Sequence, residues 1–289
     1  MINQAVLMSS AEFFSNEQPI NPYYHAEPID IHRAVDEHRH IKKLLEQAGV
    51  RVVPVGAPSD SQDGVYTANW ALVRNGKAVM SRLPQARKTE EAHAKATLEN
   101  LGIQTIVLPE ELKFSGQGDA LPCGDLLFAG SHYRSDPEAQ AIVAEELEFQ
   151  LIQLQTIPQL DEQGNPVTNW SSGWADSFFY DIDLALAILR GPKNGQKGLI
   201  AYCPEAFTPE SQAILAGLDA VDKITVSLEE ATKGFACNLV STGDTVVMSA
   251  HAPEFSATLQ NLGFTVLTPE ISELAKGGGY IRCTTLTLG

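Results

Sequence analysis

Five times along this chain an amphipathic helical stretch runs into a short stretch rich in Val, Ile and Thr. The copies are IKKLLEQAGVRVVPV (41–55), AKATLENLGIQTIVLP (94–109), AIVAEELEFQLIQLQTI (141–157), SQAILAGLDAVDKITVS (211–227) and FSATLQNLGFTVLTP (255–269). A unit of this size cannot bury its own apolar face, so the copies must pack on one another. In three of them a glycine (Gly49, Gly102, Gly263) follows the last helical residue, where a left-handed helix end is expected. Between the copies lie pairs of short strands. TANWALVRNGKAVMSRL (67–83) turns at Asn75-Gly76, a strong hairpin signal, and CNLVSTGDTVVMSAH (237–251) turns at Gly243-Asp244. GDALPCGDLLFAGSHY (118–133) and DIDLALAILRGPKNGQKGLIAYC (181–203) have the same shape. The last hairpin can be completed only by pairing IRCTTLTL (281–288) with AVLMSS (5–10), which also removes free sheet edges.

The expected fold is therefore α/β: a propeller of five strand–strand–helix–strand blades, closed by pairing of the N- and C-terminal strands. Residues 1–289 should form this single domain, with an inserted loop at about 158–180 that is long enough to cover a pocket. An ordinary three-layer α/β sandwich is the alternative, but it leaves the fivefold recurrence unexplained.

Charge narrows the partners. With 36 acidic and 20 basic residues the chain carries a net −16, which repels nucleic acid and anionic membrane and suits a cationic small molecule. No apolar run approaches the roughly 18 residues of a membrane span. The N-terminal stretch has neither a basic leader nor a long apolar core, so a cytoplasmic location is expected. Cys123, Cys203, Cys237 and Cys283 are widely spread, without a CxxC pair, which speaks against a disulfide framework or structural zinc.

In a ring of blades the first strand of each hairpin begins near the axis. Those positions read Thr67-Ala68-Asn69, Gly116-Gln117-Gly118-Asp119, Asp181-Ile182-Asp183, Cys237-Asn238 and Arg282-Cys283. Each blade places a polar or ionisable group there, just before an apolar strand. Buried polar groups are costly unless paired or used, so either the five cap strands and pair with one another or they form a site.

GGGYIRCTTLTL (277–288) resembles the nucleophile segment of the dimethylarginine dimethylaminohydrolase and amidinotransferase superfamily, the guanidine-modifying pentein fold. GQGDALPCGDLLFAG followed by YRSDPEA (116–138) is similar to its second blade, INPYYH (20–25) and YTANWALV (66–73) to its N-terminal loop and first hairpin, and NLVSTGDTVVMSA (238–250) to its fourth. The resemblance implies that Cys283 attacks a guanidinium carbon to form a covalent amidino-thioether. It implies that Asp119 and Asp183 clamp the guanidinium nitrogens, and that Asn69, Asn21 and Arg134 lie on the substrate side. It implies no organic cofactor and no metal, a guanidino compound as partner, and leaves room for a homodimer.

Two departures from the family stand out. Asp181-Ile182-Asp183 replaces the usual His-x-Asp, and Ser115-Gly116-Gln117 stands where an acidic residue usually precedes the second-blade aspartate. Three readings follow. In the first the chain is a cysteine-dependent hydrolase of the C–N bond of an arginine-like molecule. Asp181, its pKa raised by neighbouring carboxylates, would then serve as proton donor, or His25, His132 or His251 would reach in. In the second it binds or senses a cationic amino acid without catalysis. In the third the same cradle transfers the amidino group to an amine.

Weaker features remain. Gly277-Gly278-Gly279 is a flexible turn or a phosphate cradle. His32, Asp36 and His40 share a helix face that is either solvated or a metal site. Trp170 and Trp174 either close over a ligand or anchor the inserted loop.

Overall fold

The computed structural model describes residues 2–24, 27–130 and 132–289. The chain runs β1 (Ala5–Ser9), α1 (Ile31–Gln47), β2 (Arg51–Val55), β3 (Ala71–Arg74), β4 (Lys77–Met80), α2 (Lys88–Asn100) and β5 (Gln104–Val107). It continues through β6 (Ala120–Cys123), β7 (Leu126–Ala129), α3 (Pro137–Glu146), β8 (Gln150–Gln153), β9 (Leu186–Arg190), β10 (Gly198–Tyr202), α4 (Pro209–Gly217) and β11 (Val221–Thr225). It ends with α5 (Leu228–Lys233), β12 (Val240–Ser241), β13 (Thr245–Val247), α6 (Pro253–Asn261), β14 (Thr265–Leu267) and β15 (Leu286–Thr287).

These strands form five three-stranded sheets of one design, matching the five repeats. In each an antiparallel hairpin is followed by a helix and a third strand that lies parallel to the middle one, as in β3-β4-β5 and β6-β7-β8. The fifth sheet joins the two ends of the chain: β15 pairs antiparallel with β1, with Val6 opposite Thr287 and Leu7 opposite Leu286, and β1 pairs parallel with β2.

Local chemistry explains the elements. Asn75 and Gly76 both take positive φ, at 51° and 76°, the conformation that a two-residue hairpin turn matching strand twist requires. The residues after α1, α2 and α6 include Gly49, Gly102 and Gly263, all left-handed. Asp30 caps α1 by accepting the His32 and Arg33 N–H groups at 3.1 and 3.2 Å. Ala34, Glu37, Ile41 and Leu45 make one buried stripe on that helix.

Apolar side chains interlock between neighbouring sheets. Leu7 and Leu286 pack with Trp70 and Met80, and Leu72 and Val79 pack with Phe114 and Leu127. The third strand of each repeat is the least buried, with only half-buried and exposed residues in β5 and β8. Of the segment 158–180, Leu160 bridges Pro166 and Thr168 bridges Ala175, while Phe179 and Tyr180 are buried. No helix among the described residues is long and apolar enough to cross a membrane.

The approach to Cys283 is fastened to α1. The buried Glu37 carboxylate accepts the N–H groups of Ser272, Glu273 and Leu274 at 2.8 to 3.1 Å and the Ser272 hydroxyl at 2.9 Å. Replacing Glu37 by Ala leaves those donors without acceptors, so Glu37→Ala should lower unfolding stability by about 2–3 kcal/mol in urea melts. A change below about 0.5 kcal/mol would show that the 272–274 turn does not depend on this carboxylate.

Candidate active site around Cys283

The turns that precede the inner strands converge. The turn over Thr67–Trp70 packs on that over Gly116–Gly118, which packs in turn on Ile182–Leu184. Hydrogen bonds between the turns fix their polar side chains. Asn69 Nδ2 donates to Ser115 O at 3.0 Å and to Asp181 Oδ2 at 2.8 Å, and Asn69 Oδ1 accepts from Arg87 Nη1 at 2.7 Å. Arg87 is itself buried and paired with Glu90, Nη2 to Oε2 at 2.7 Å. Asp119 Oδ1 accepts the Ile182 N–H at 3.0 Å and so holds the turn that carries Asp181 and Asp183.

Cys283 is buried at the meeting point of the first, third and fourth turns. Its carbonyl accepts the Ala68 N–H at 3.0 Å. Asn238 grips it twice, accepting the Cys283 N–H on Oδ1 at 3.2 Å and donating from Nδ2 to Sγ at 3.1 Å. The thiol donates to Asp183 Oδ2 at 3.6 Å. Burial, and then the Asp183 carboxyl, push the thiol well above its ordinary pKa, so Cys283 rests protonated at neutral pH. Asp183 is also pushed well above the carboxylate range, by burial first and then by Asp181. Burial raises Asp181 as well, against Arg134, Ser115 and Asn69, which favour its ionised form. Asp181 Oδ1 and Asp183 Oδ1 are both buried without a hydrogen-bond partner. Two such carboxyls behave as a pair that holds on to a proton.

Two cavities reach this centre, one at Cys283 and the other at Asp183. A small one of about 10 Å³, room for roughly one water, is lined by Cys283 together with Asn21, Asn69, Asp63, Arg134 and Tyr180 among others. A larger one of about 330 Å³ reaches Asp183 but not Cys283. In the small pocket Asn21 Nδ2 donates to Gly277 O at 3.0 Å, and the Tyr180 hydroxyl donates to Gly278 O at 2.9 Å. Arg134 donates to the Ile20 carbonyl and lies 4.8 Å from the Tyr180 ring centre, with no carboxylate in ion-pair range among the described residues. Gly277-Gly278-Gly279 is closely packed: a Cβ there would overlap Phe14, Asn21 or Tyr66.

Several expectations need redrawing. Asp119 and Asp181 are buried and line neither cavity, while Asp183 accepts the hydrogen bond from the sulfur. No histidine among the described residues lines either cavity. His251 sits at the surface, 4.0 Å from Glu270, His132 is turned away with a buried, unpartnered Nε2, and His25 lies outside the described residues. Asp36 pairs with Arg39 at 2.6 Å on an exposed face. Trp174 packs over Lys113, 5.1 Å from its ring centre, and Trp170 is 80% exposed, so neither covers Cys283. The sequence places Asn238 among the five axial positions, at the same pre-strand position as Asn69 and Cys283, but gives no sign of Arg87.

A family model described as N,N dimethylarginine dimethylhydrolase, eukaryotic, matches residues 9–168, more than half of the chain. The chain belongs to the dimethylarginine dimethylaminohydrolase family. Across its length it is 30% identical to the N(G),N(G)-dimethylarginine dimethylaminohydrolase of Mycobacterium tuberculosis, covering 97% of this chain and 84% of that protein. It is 28% identical to the bifunctional arginine dihydrolase/ornithine cyclodeaminase ArgZ of Synechocystis, covering 97% of this chain but only 37% of that protein. The N-terminal domain of ArgZ bound to product superimposes with a TM-score of 0.84 at 27% identity, over 99% of this chain and 97% of that one. A dimethylarginine dimethylaminohydrolase from Pseudomonas aeruginosa shares the fold at a TM-score of 0.73 and 16% identity.

The raised carboxyl of this family member gives a test. A native Asp pKa above the unfolded value adds stability below about pH 4, and that stability is lost as pH rises towards the native pKa. Asp183→Asn removes the strain, so it should raise the melting temperature at pH 7–8, with the gain shrinking towards pH 4. An equal effect at both pH values would mean that Asp183 is not held protonated.

Proposed function

We propose that this protein is a cysteine-dependent hydrolase of the C–N bond in an arginine-like guanidino compound, acting through an amidino-thioether on Cys283. One observation carries the reading: Sγ sits 3.1 Å from the Asn238 amide and 3.6 Å from the Asp183 carboxyl, in a pocket that also holds the uncompensated Arg134. Five sheets of one design, joined by β1 and β15, support a single domain closed as a propeller about this centre. The four cysteines are free and buried, which suits a reducing cytoplasm.

With no histidine lining either cavity among the described residues, the substrate itself does the activating. A guanidinium beside Cys283 stabilises both the thiolate and the Asp183 carboxylate, reversing the desolvation that keeps them neutral. With the guanidinium bound, Asp183 first releases its own proton to solvent, and the Cys283 proton then passes to the ionised Asp183 Oδ2 as the sulfur–carbon bond forms. The carbon–nitrogen bond then breaks, and the leaving nitrogen takes that proton away as ammonia or an amine. Water adds to the amidino carbon, the sulfur leaves, and a urea-type product is released with the thiol restored. Asp183 thus does the work at the sulfur, Asp181 shares its proton, and Asp119 and Asn69 keep the turns in register. Arg134 is suited to the carboxylate end of an amino-acid substrate, and Asn21 ties the N-terminal loop to the pocket wall. Entry requires the closed pocket to widen, since room for about one water does not admit a guanidinium.

The absence of a lining histidine among the described residues favours one second reading, a binder of a cationic amino acid that does not turn it over. Intact-mass spectrometry after rapid quench with arginine or a methylated arginine separates the two. The hydrolase should show an amidino adduct mapped to Cys283 together with urea-type product. Product formation should fall by at least about 1,000-fold in Cys283→Ser and by about 100-fold in Asp183→Asn. Ligand binding with neither adduct nor product would establish the binder.

A further inference from the structure

The larger cavity is not needed by the chemistry at Cys283. Its mouth is marked by the exposed Gln4, Gly124 and Gly289, and it runs inward to Asp183. Its walls are apolar, formed by Leu121, Leu186, Ile188 and Leu239 among others, and at about 330 Å³ it is large enough for a small organic molecule. Its polar lining includes Gln117, Thr287 and Arg282.

Arg282 is the unusual member. It is 6% exposed, yet no carboxylate lies within ion-pair distance among the described residues. Its guanidinium bonds only to neutral acceptors: Nη2 to Gln117 Oε1 at 2.7 Å, and Nη1 to Thr287 Oγ1 at 3.0 Å and Thr285 Oγ1 at 3.4 Å. Five N–H groups are available on an arginine, so these three bonds leave donors over. Asp183 lines the same cavity but is driven towards its neutral form by burial, so it does not balance the charge. A buried guanidinium facing an apolar cavity without a counter-ion is costly, and a bound anion removes that cost.

We propose that this cavity binds a small monocarboxylate with an apolar tail, its head on Arg282 and Gln117 and its tail against Leu186, Ile188 and Leu239, and that occupancy slows the reaction of Cys283 with electrophiles. One charge is the fitting number. The second cation at the cavity, Arg74, is committed to Asp125 at 2.5 Å and to the Leu147 and Glu148 carbonyls, and lies over the Phe149 ring at 4.0 Å. A dianion such as phosphate would therefore bring a charge that nothing answers, and its hydration would be lost against apolar walls. Coupling to Cys283 follows from position. The Arg282 charge favours the ionised form of Asp183, and Asp183 Oδ2 is the acceptor of the Cys283 proton. An anion on Arg282 cancels that help, so Asp183 keeps its own proton and the thiol keeps its proton too.

Isothermal titration calorimetry of the full chain with hexanoate, and with hexan-1-ol as the uncharged counterpart, tests the site. Hexanoate should bind one to one and hexan-1-ol at least about tenfold more weakly. Ile188→Phe, which fills the cavity from a half-buried strand position without touching Arg282, should abolish hexanoate binding while the melting temperature stays near wild type. Saturating hexanoate should slow iodoacetamide labelling of Cys283 at fixed pH by about threefold or more, an effect absent in Ile188→Phe. No heat with hexanoate, equal binding of the alcohol, or undiminished binding to Ile188→Phe would overturn the site. Binding without any change in labelling would overturn the coupling. None of these readouts requires turnover, so failure here is separable from failure of the hydrolase reading.

Discussion

Cys283 stands where it does because two strands from opposite ends of the chain pair with each other. β15 continues from the Cys283 turn and is held antiparallel to β1, and the Thr67 hydroxyl lies between the carbonyls of Leu7 and Thr284 at 3.1 and 3.0 Å. The Ala68 N–H then takes the Cys283 carbonyl itself. No local segment could place the sulfur, because its segment completes a sheet whose other strands were laid down at the start of the chain. Closing so long a loop costs only slightly more entropy than closing a shorter one, so the fold can place this cysteine near the end of the sequence without a large penalty.

Around that point the centre is polar and dry at once. Asp119, Asp181, Asp183, Arg87, Arg134 and Arg282 are all buried, and of the three arginines only Arg87 has a carboxylate in ion-pair range among the described residues, Glu90. The rest is held by neutral contacts, with Asn69 and Asn238 each using both ends of the side-chain amide. An amide can join an arginine to an aspartate, or a backbone N–H to a sulfur, without adding charge to a low-dielectric site. Asp181 and Asp183 meet the same constraint differently, by moving towards their neutral form.

The periodic features were legible because they are local. Helix ends at Gly49, Gly102 and Gly263 and the Asn75-Gly76 turn are each set by a few adjacent residues. Even the β1–β15 pairing could be read, since four complete hairpins left one strand at each end unpartnered. The roles of the aspartates could not be read to the same depth. Asp119 and Asp183 occupy equivalent pre-strand positions, yet one turns to a backbone N–H and the other to the sulfur, a choice made by the neighbouring turn and not by the repeat. Arg87 was invisible for a related reason: it reaches Asn69 from the start of α2, outside any repeated position.

A site that draws no histidine from the described residues differs in what it can respond to. An imidazole beside a thiol keeps it partly ionised whatever is bound, so such a cysteine reacts with adventitious electrophiles and oxidants as well as with substrate. Here the groups facing Sγ are an amide and a carboxyl that burial keeps neutral, and neither draws the proton away in the empty site. Only a cation placed in the pocket makes the ionised forms of Cys283 and Asp183 favourable together. Recognition and activation thereby become one event: an uncharged urea-type product, unlike the guanidinium that produced it, leaves the thiol protonated and the site at rest.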